Sequence, residues 1–345
     1  MSSSNTRMKG ALWDNTSGLI SDLKECINLL PASWSGQDLA RATSGAAATL
    51  LGKIYLRNHD YANAKTYIDM VLNSGQYELE SDFKYVWSEN NKYGKEMIFA
   101  LLHETGNNAA EIACHFGPSD HPEVPGRWQY YGVSLPFWRS YDKEDPRREF
   151  FYYDYTGDAK RDDQSDYGFH YMVPEEGVTV VPNDTTKYMQ NVATMKYTYD
   201  MISDAYYDGR TICIFRLSDV ILCKAEIENN LNGPAAALPY LNQIRARAGA
   251  PEYGKHNRFP APSTKEAMND AILKERGYEL VFEFQRRADL IRFGKYEEVV
   301  NAHLKKLGIA QPTNVTSSLR YFPYPLNDAQ LNPNLAAENP SRLPK

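Results

Sequence analysis

The chain has 345 residues, with 38 basic and 44 acidic side chains and a net charge of −6, which excludes the basic footprint of a nucleic-acid binder. Four cysteines are too few for a disulfide scaffold, and 42% apolar with 24% charged residues is the composition of a folded globular chain. No stretch reaches the roughly 18 apolar residues of a membrane span; the best, Gly45 to Leu56, is interrupted by Lys53.

Residues 1–14 form a polar leader without the apolar run and cleavage site of a signal peptide, and without a cysteine to carry a lipid. From Asn15 to Pro31, Leu19, Ile20, Leu23, Ile27 and Leu30 recur at helical spacing. Two further helices are predicted at Gln37–Asn58 and Tyr61–Ser74, joined by the turn Asn58-His59-Asp60. Gly52 stands twelve positions before Ala64, the small-to-small spacing of a tetratricopeptide hairpin. Gly75 suits a left-handed helix cap. Residues 15–105 therefore read as an N-terminal set of helical hairpins.

Residues 106–210 read as an irregular insert, rich in Gly, Pro, Asp and Asn. A short helix is expected near Leu135–Tyr141, and short strands at Phe150–Tyr155 and Val178–Val181. Positions 128–207 hold 13 Tyr, 2 Trp and 4 Phe. Irregular stretches this long are usually functional.

Helical pairing resumes over 211–308. Helices are predicted at Ser218–Asn230 and Pro234–Ala248, with Ala225 and Ala237 repeating the twelve-residue spacing. A capping box at Ser263–Glu266 opens a helix predicted to run through Leu280 to about Arg292, and a last helix spans Tyr296–Leu307. The closing segment, 309–345, carries six prolines and is expected to be extended. The fold class is mainly α: tetratricopeptide-like hairpins around a long aromatic-rich insert with a few short strands.

Glu275, Glu279 and Glu283 fall four apart on one predicted helix face. Arg276, Arg286, Arg287 and Arg292 are interleaved with them. An arginine neighbour lowers a carboxyl pKa, the wrong direction for a general acid, so these acids read as an ion network. Cys114-His115 and Asp120-His121 match no zinc spacing, and Cys213 and Cys223 read as buried thiols. There is no phosphate loop, nucleophile elbow or His-Glu-x-x-His. These readings give no enzyme, cofactor or metal assignment. The aromatics remain: a flat ring with a polar edge stacks on the C–H face of a pyranose.

The chain resembles the SusD/RagB family of surface glycan-binding lipoproteins of Bacteroidetes polysaccharide-utilisation systems. Asp22-Leu-Lys-Glu-Cys-Ile-Asn-Leu-Leu-Pro31 and Arg41 to Leu56, with Asp60-Tyr-Ala-Asn-Ala64, carry the early part of the likeness. Glu96-Met-Ile-Phe-Ala100, Asp145-Pro-Arg147, Arg216 to Leu222, Leu241 to Arg247, Glu275-Arg276 and Arg287 to Arg292 follow in the family's order. Pro323-Tyr-Pro325, Asn332 to Leu335 and Glu338-Asn-Pro340 match its ending. Members are usually longer at the N-terminus, so the chain is similar to their C-terminal two thirds, and its first hairpin near Leu19 is expected to be exposed.

The resemblance implies non-catalytic capture of an oligosaccharide on the outer face of the outer membrane and delivery to a SusC-like TonB-dependent transporter. The family's lipid anchor has no counterpart in this sequence, and no nucleic-acid partner is implied. Aromatic density within the family's ligand-contact regions selects Trp128, Tyr130, Tyr131, Tyr153, Tyr155 and Tyr167 as stacking candidates. Asn107, Asn108, Asp120 and Arg127 are candidates for binding hydroxyls. Trp138 and Tyr141 read as core. The alternatives are a tetratricopeptide-type scaffold for a peptide, and a helical carbohydrate-active enzyme with an acid pair facing the aromatic loops.

Overall fold

The computed structural model describes residues 16–106, 109–118, 121–124, 128–157, 169–176, 186–200, 208–306, 315–316 and 325–332. The chain divides into two compact units, Met1–Glu279 and Leu280–Lys345.

Helix α1 (Thr16–Leu29) packs its stripe of Ile20, Leu23 and Ile27 against Ala47 and Leu51 of helix α2 (Ser44–Arg57). Leu19 and Leu29 remain exposed on the outer side of α1. Helix α2 begins at Ser44 and not at Gln37. Gly36 turns left-handed at φ +60°, residues Gly36–Asp38 form a single 3-10 turn, and Thr43 Oγ1 accepts the Ala46 amide at 3.2 Å to set the true start. Helix α3 (Tyr61–Leu72) is capped by Asp60, which accepts the Asn63 amide at 3.1 Å. The predicted close approach is present. A Cβ placed on Gly52 would lie 2.9 Å from Ile68 Cδ1. Tyr55 stacks on Tyr67 with ring centroids 5.7 Å apart.

Strand β1 (Met97–Leu101) leads into the irregular segment, whose described elements are short. They are α4 (Ile112–Phe116), β2 (Val133–Ser134), α5 (Leu135–Arg139), β3 (Phe151–Tyr152), β4 (Asp154–Thr156), β5 (His170–Met172), β6 (Thr186–Tyr188) and β7 (Asn191–Thr194). The segment returns through β8 (Ile212–Arg216), which pairs antiparallel with β1. Strands β2 and β3 flank β7, and β4, β5 and β6 make a separate sheet. The stretch Phe150–Tyr155 is therefore two strands of different sheets, with Tyr153 at the break; its carbonyl accepts the Val173 amide at 3.1 Å. Trp138 and Tyr141 are core, as expected. The strand expected at Val178–Val181 lies outside the described residues.

Helix α6 (Leu217–Asn232) is almost wholly buried; α7 (Pro234–Ala248) and α8 (Lys265–Glu279) pack against it. Ala225 and Ala237 are fully buried, as a small-to-small contact requires. Helix α3 also packs on α6, and Lys224 Nζ pairs with Asp69 there. The cap of α8 is Thr264, whose Oγ1 accepts the Ala267 amide at 3.1 Å, one residue beyond the predicted Ser263. Helix α8 ends at Glu279 and does not run to Arg292, so Glu283 leaves the face shared by Glu275 and Glu279.

In the second unit, Phe282 and Phe284 both adopt φ +61° before α9 (Arg286–Arg292) and α10 (Tyr296–Lys306). Asn301 exchanges two hydrogen bonds with the Val315 backbone, at 2.9 and 2.7 Å. The proline-rich closing segment is not extended throughout: Leu326–Leu331 forms helix α11, because the six residues after Pro325 contain no proline.

Candidate functional site

The site starts from a buried carboxylate. Asp208 accepts the Ala113 amide at 3.0 Å and the Arg210 amide at 2.9 Å, and its own carbonyl accepts the Ala110 amide at 2.9 Å. Burial pushes its carboxyl above the ordinary value, and the two amides limit the rise. The effect is to hold the first turn of α4, an element too short to be stable by itself.

Helix α4 then organises the chain from Trp128 to Tyr131. The Trp128 amide donates to the Cys114 carbonyl at 2.8 Å, and the Tyr131 amide to the His115 carbonyl at 3.2 Å. Between them Gln129 sits at φ +46°, a left-handed conformation that costs a non-glycine residue free energy. Its side-chain amide donates to Asn191 Oδ1 at 3.1 Å, tying the bend to β7.

Three rings gather around His115 as a result. Their centroids lie 5.0 Å (Trp128), 5.6 Å (Tyr130) and 6.4 Å (Tyr131) from the imidazole. Trp128 and Tyr130 are 5.4 Å apart and inclined by 36°. Their exposures are 41% for Trp128, 66% for Tyr130 and 52% for Tyr131, against a core in which large rings are buried. Tyr131 rests on Phe116 at 5.1 Å, Phe116 on Tyr197 at 4.8 Å, and Tyr197 on Trp87 at 5.8 Å. Rings open to solvent are thus continuous with the aromatic core.

The other stacking candidates lie in separate groups. Tyr153 packs on Trp138 at 5.3 Å and donates its hydroxyl to Glu149; that bond, with some burial, raises its pKa. Tyr155 lies flat on Tyr171, with centroids 4.9 Å apart and planes within 13°, beside His121 at 5.0 Å. Tyr167, Asn107, Asn108, Asp120 and Arg127 lie outside the described residues. His115 went unnoticed as the hub of the ring cluster. Its sequence neighbours give no sign of it, because the rings it meets come from a separate turn of chain. Among the described residues, no group of His, Cys, Asp and Glu is arranged to hold a metal ion.

The acids on α8 are locked away. Glu279 is 4% exposed, and its carboxylate meets Arg216 Nη1 at 2.7 Å, Arg147 Nη1 at 2.9 Å and the Arg247 guanidinium. Glu275 binds Arg147 Nη1 and Arg245 Nη1, both at 2.7 Å. Glu96 joins the same network through Arg216 at 2.6 Å and Arg247 at 2.8 Å. Burial by itself would raise the Glu279 carboxyl; Arg247, Arg216, Arg147 and Lys196 outweigh it and hold the group far below the carboxylate range. Such a carboxylate has no proton to give a leaving group.

The SusD-family sequence profile matches residues 95–341. The chain belongs to the SusD family. A SusD-like protein of Formosa agariphila is 26% identical over 340 residues, covering 92% of this chain and 62% of its own length. The starch-binding protein SusD of Bacteroides thetaiotaomicron is 28% identical over 137 residues, covering 39% of this chain and 22% of its own. In structure, the chain is similar to surface glycan-binding protein A of Bacteroides thetaiotaomicron, solved in complex with laminarihexaose. The TM-score is 0.67 at 21% identity, over 91% of this chain and 68% of that one. Two SusD-like proteins of Formosa agariphila are spanned by this chain over 62% and 64% of their lengths.

Proposed function

We propose that this SusD-family chain binds an oligosaccharide without cleaving it, at the surface made by Trp128, Tyr130 and Tyr131. The observation that carries the reading is the convergence of three solvent-open rings on His115, held by backbone hydrogen bonds to a pinned helix. Such rings take the apolar face of a pyranose, and the exposed edges of Tyr130 and Tyr131 supply hydroxyls for its equatorial groups. The burial of Glu275 and Glu279 among arginines supports binding over hydrolysis, since a glycosidase needs two carboxyl groups able to reach the scissile bond. The laminarihexaose complex of a structurally similar protein fits the same reading. The bound glycan is then passed to a SusC-like TonB-dependent transporter at the outer face of the outer membrane.

The test is retention on laminarin and starch affinity gels. The double variant Trp128→Ala, Tyr130→Ala is expected to lose two stacking contacts, about 1–3 kcal/mol together or roughly 5- to 150-fold in affinity. Its circular dichroism should be unchanged, since both rings are exposed. Unaltered retention, or release of shortened products from labelled glycan, would reject the proposal.

A further inference from the structure

A concave surface lies elsewhere in the first unit, between the connection preceding α2 and the edge of β1. It is a cleft of about 140 Å³ whose lining includes Trp34, Arg41, Tyr77, Lys92 and Tyr93. That volume is below the roughly 300–1,000 Å³ of drug-sized pockets and suits a single small ring.

The sequence builds it deliberately. Trp34 Nε1 donates to the Ala42 carbonyl at 2.8 Å, which fixes the indole, and the Arg41 guanidinium stands 5.5 Å over its ring. Gly45, at the start of α2, makes room for Tyr77: a Cβ there would fall 2.2 Å from the phenol oxygen. The Tyr77 hydroxyl meets Thr43 Oγ1 at 3.3 Å, and burial raises its pKa, so it stays a neutral donor. Tyr93 is 55% exposed and forms an open wall. Lys92 is half-buried, with its Nζ donating to the His103 carbonyl at 3.1 Å, which leaves further ammonium protons to donate. Among the described residues, no aspartate or glutamate lines the cleft, although the chain as a whole carries a net charge of −6. Asp38 holds Arg41 Nε at 2.9 Å from outside the lining.

We infer that this cleft is a second saccharide subsite, specific for a single anionic pyranose whose ring rests on Trp34 or Tyr93 and whose carboxylate or sulfate meets Arg41 and Lys92. It rests on the carbohydrate reading of the chain but uses none of the residues of the Trp128 surface. Arginine is suited to the anion because its planar fork matches an oxyanion group, while lysine adds a point charge.

The experiment is tryptophan-fluorescence titration of the whole chain with methyl glucuronide, glucose 6-sulfate and methyl glucoside. The Trp128→Ala background separates the two surfaces. Saturable quenching by the glucuronide or the sulfate, kept in Trp128→Ala and weakened at least tenfold in both Arg41→Ala and Tyr93→Ala, is the expected result; which of the two quenches more identifies the anion. Equal binding of methyl glucoside, or no binding by either anionic sugar, overturns the inference. Failure of the laminarin gels would leave this titration unaffected, so the two proposals fail separately. Arg41 and Tyr93 are both exposed, so neither substitution threatens the fold.

Discussion

Glu279 shows how a buried carboxylate becomes architecture. Its carboxylate is shared among Arg147, Arg216 and Arg247, and its carbonyl accepts Lys196 Nζ and Arg216 Nη2, both at 2.9 Å. Removing one partner leaves an uncompensated buried charge. Arg216→Ala is therefore expected to cost about 3–5 kcal/mol, measured by urea unfolding. An ion network was legible from sequence, but not its pairing: of the interleaved arginines, Arg276 meets Asp219 and Arg292 meets Asp289, while Glu275 and Glu279 take Arg147, Arg216, Arg245 and Arg247. The distant partners Glu96, Arg147 and Arg216 were not legible, because they meet only in the fold. Glu228 offers a titratable version. Burial would raise its carboxyl, but Lys224, Lys65 and Asn232 bring it down to about 2. A folded pKa below the unfolded value, about 4.3, means stability that is full above that value and lost as pH falls toward 2. Glu228→Gln should flatten the acid limb of a stability profile between about pH 4.5 and 2, while an unchanged slope would assign that limb to other carboxylates.

At the scale of elements, the hairpins were readable because a single spacing encodes a close approach. Gly52 must be small to admit Ile68, so Gly52→Val should destabilise by about 1–3 kcal/mol through overpacking, seen as a lower thermal midpoint. The end of α8 was unreadable, since neither Gly nor Pro marks it. A helix continuing past Glu279 would need the Glu279 carbonyl for the Glu283 amide. Lys196 and Arg216 bind that carbonyl instead, and the Glu283 amide turns to Leu280 at 3.0 Å. A long-range contact thus decides where a local element stops. The start of the same helix is a smaller lesson, since either Ser263 or Thr264 could cap. Thr264→Ala should cost about 1 kcal/mol in chemical denaturation and Ser263→Ala close to nothing.

For the whole molecule, aromatic density pointed to the segment that carries open rings, yet it could not say which rings would meet. Trp128, Tyr130 and Tyr131 share one turn and came together. Tyr153 and Tyr155 alternate across a strand break and went to different neighbours. The chain leaves the helical frame through β1 and returns through β8, side by side in one antiparallel ribbon. The segment therefore departs and re-enters at a single doorway, and its Arg147, oriented by Asp145, and Lys196 fasten it to Glu275 and Glu279 of the frame. On the carbohydrate reading proposed above, recognition becomes an exchangeable cassette. Grafting the corresponding segment of a relative with a different sugar preference, with Arg147, Lys196 and the supporting Asp145 retained, should give a chimaera that unfolds cooperatively and takes the donor's ligand, leaving the helices as an unchanging mount.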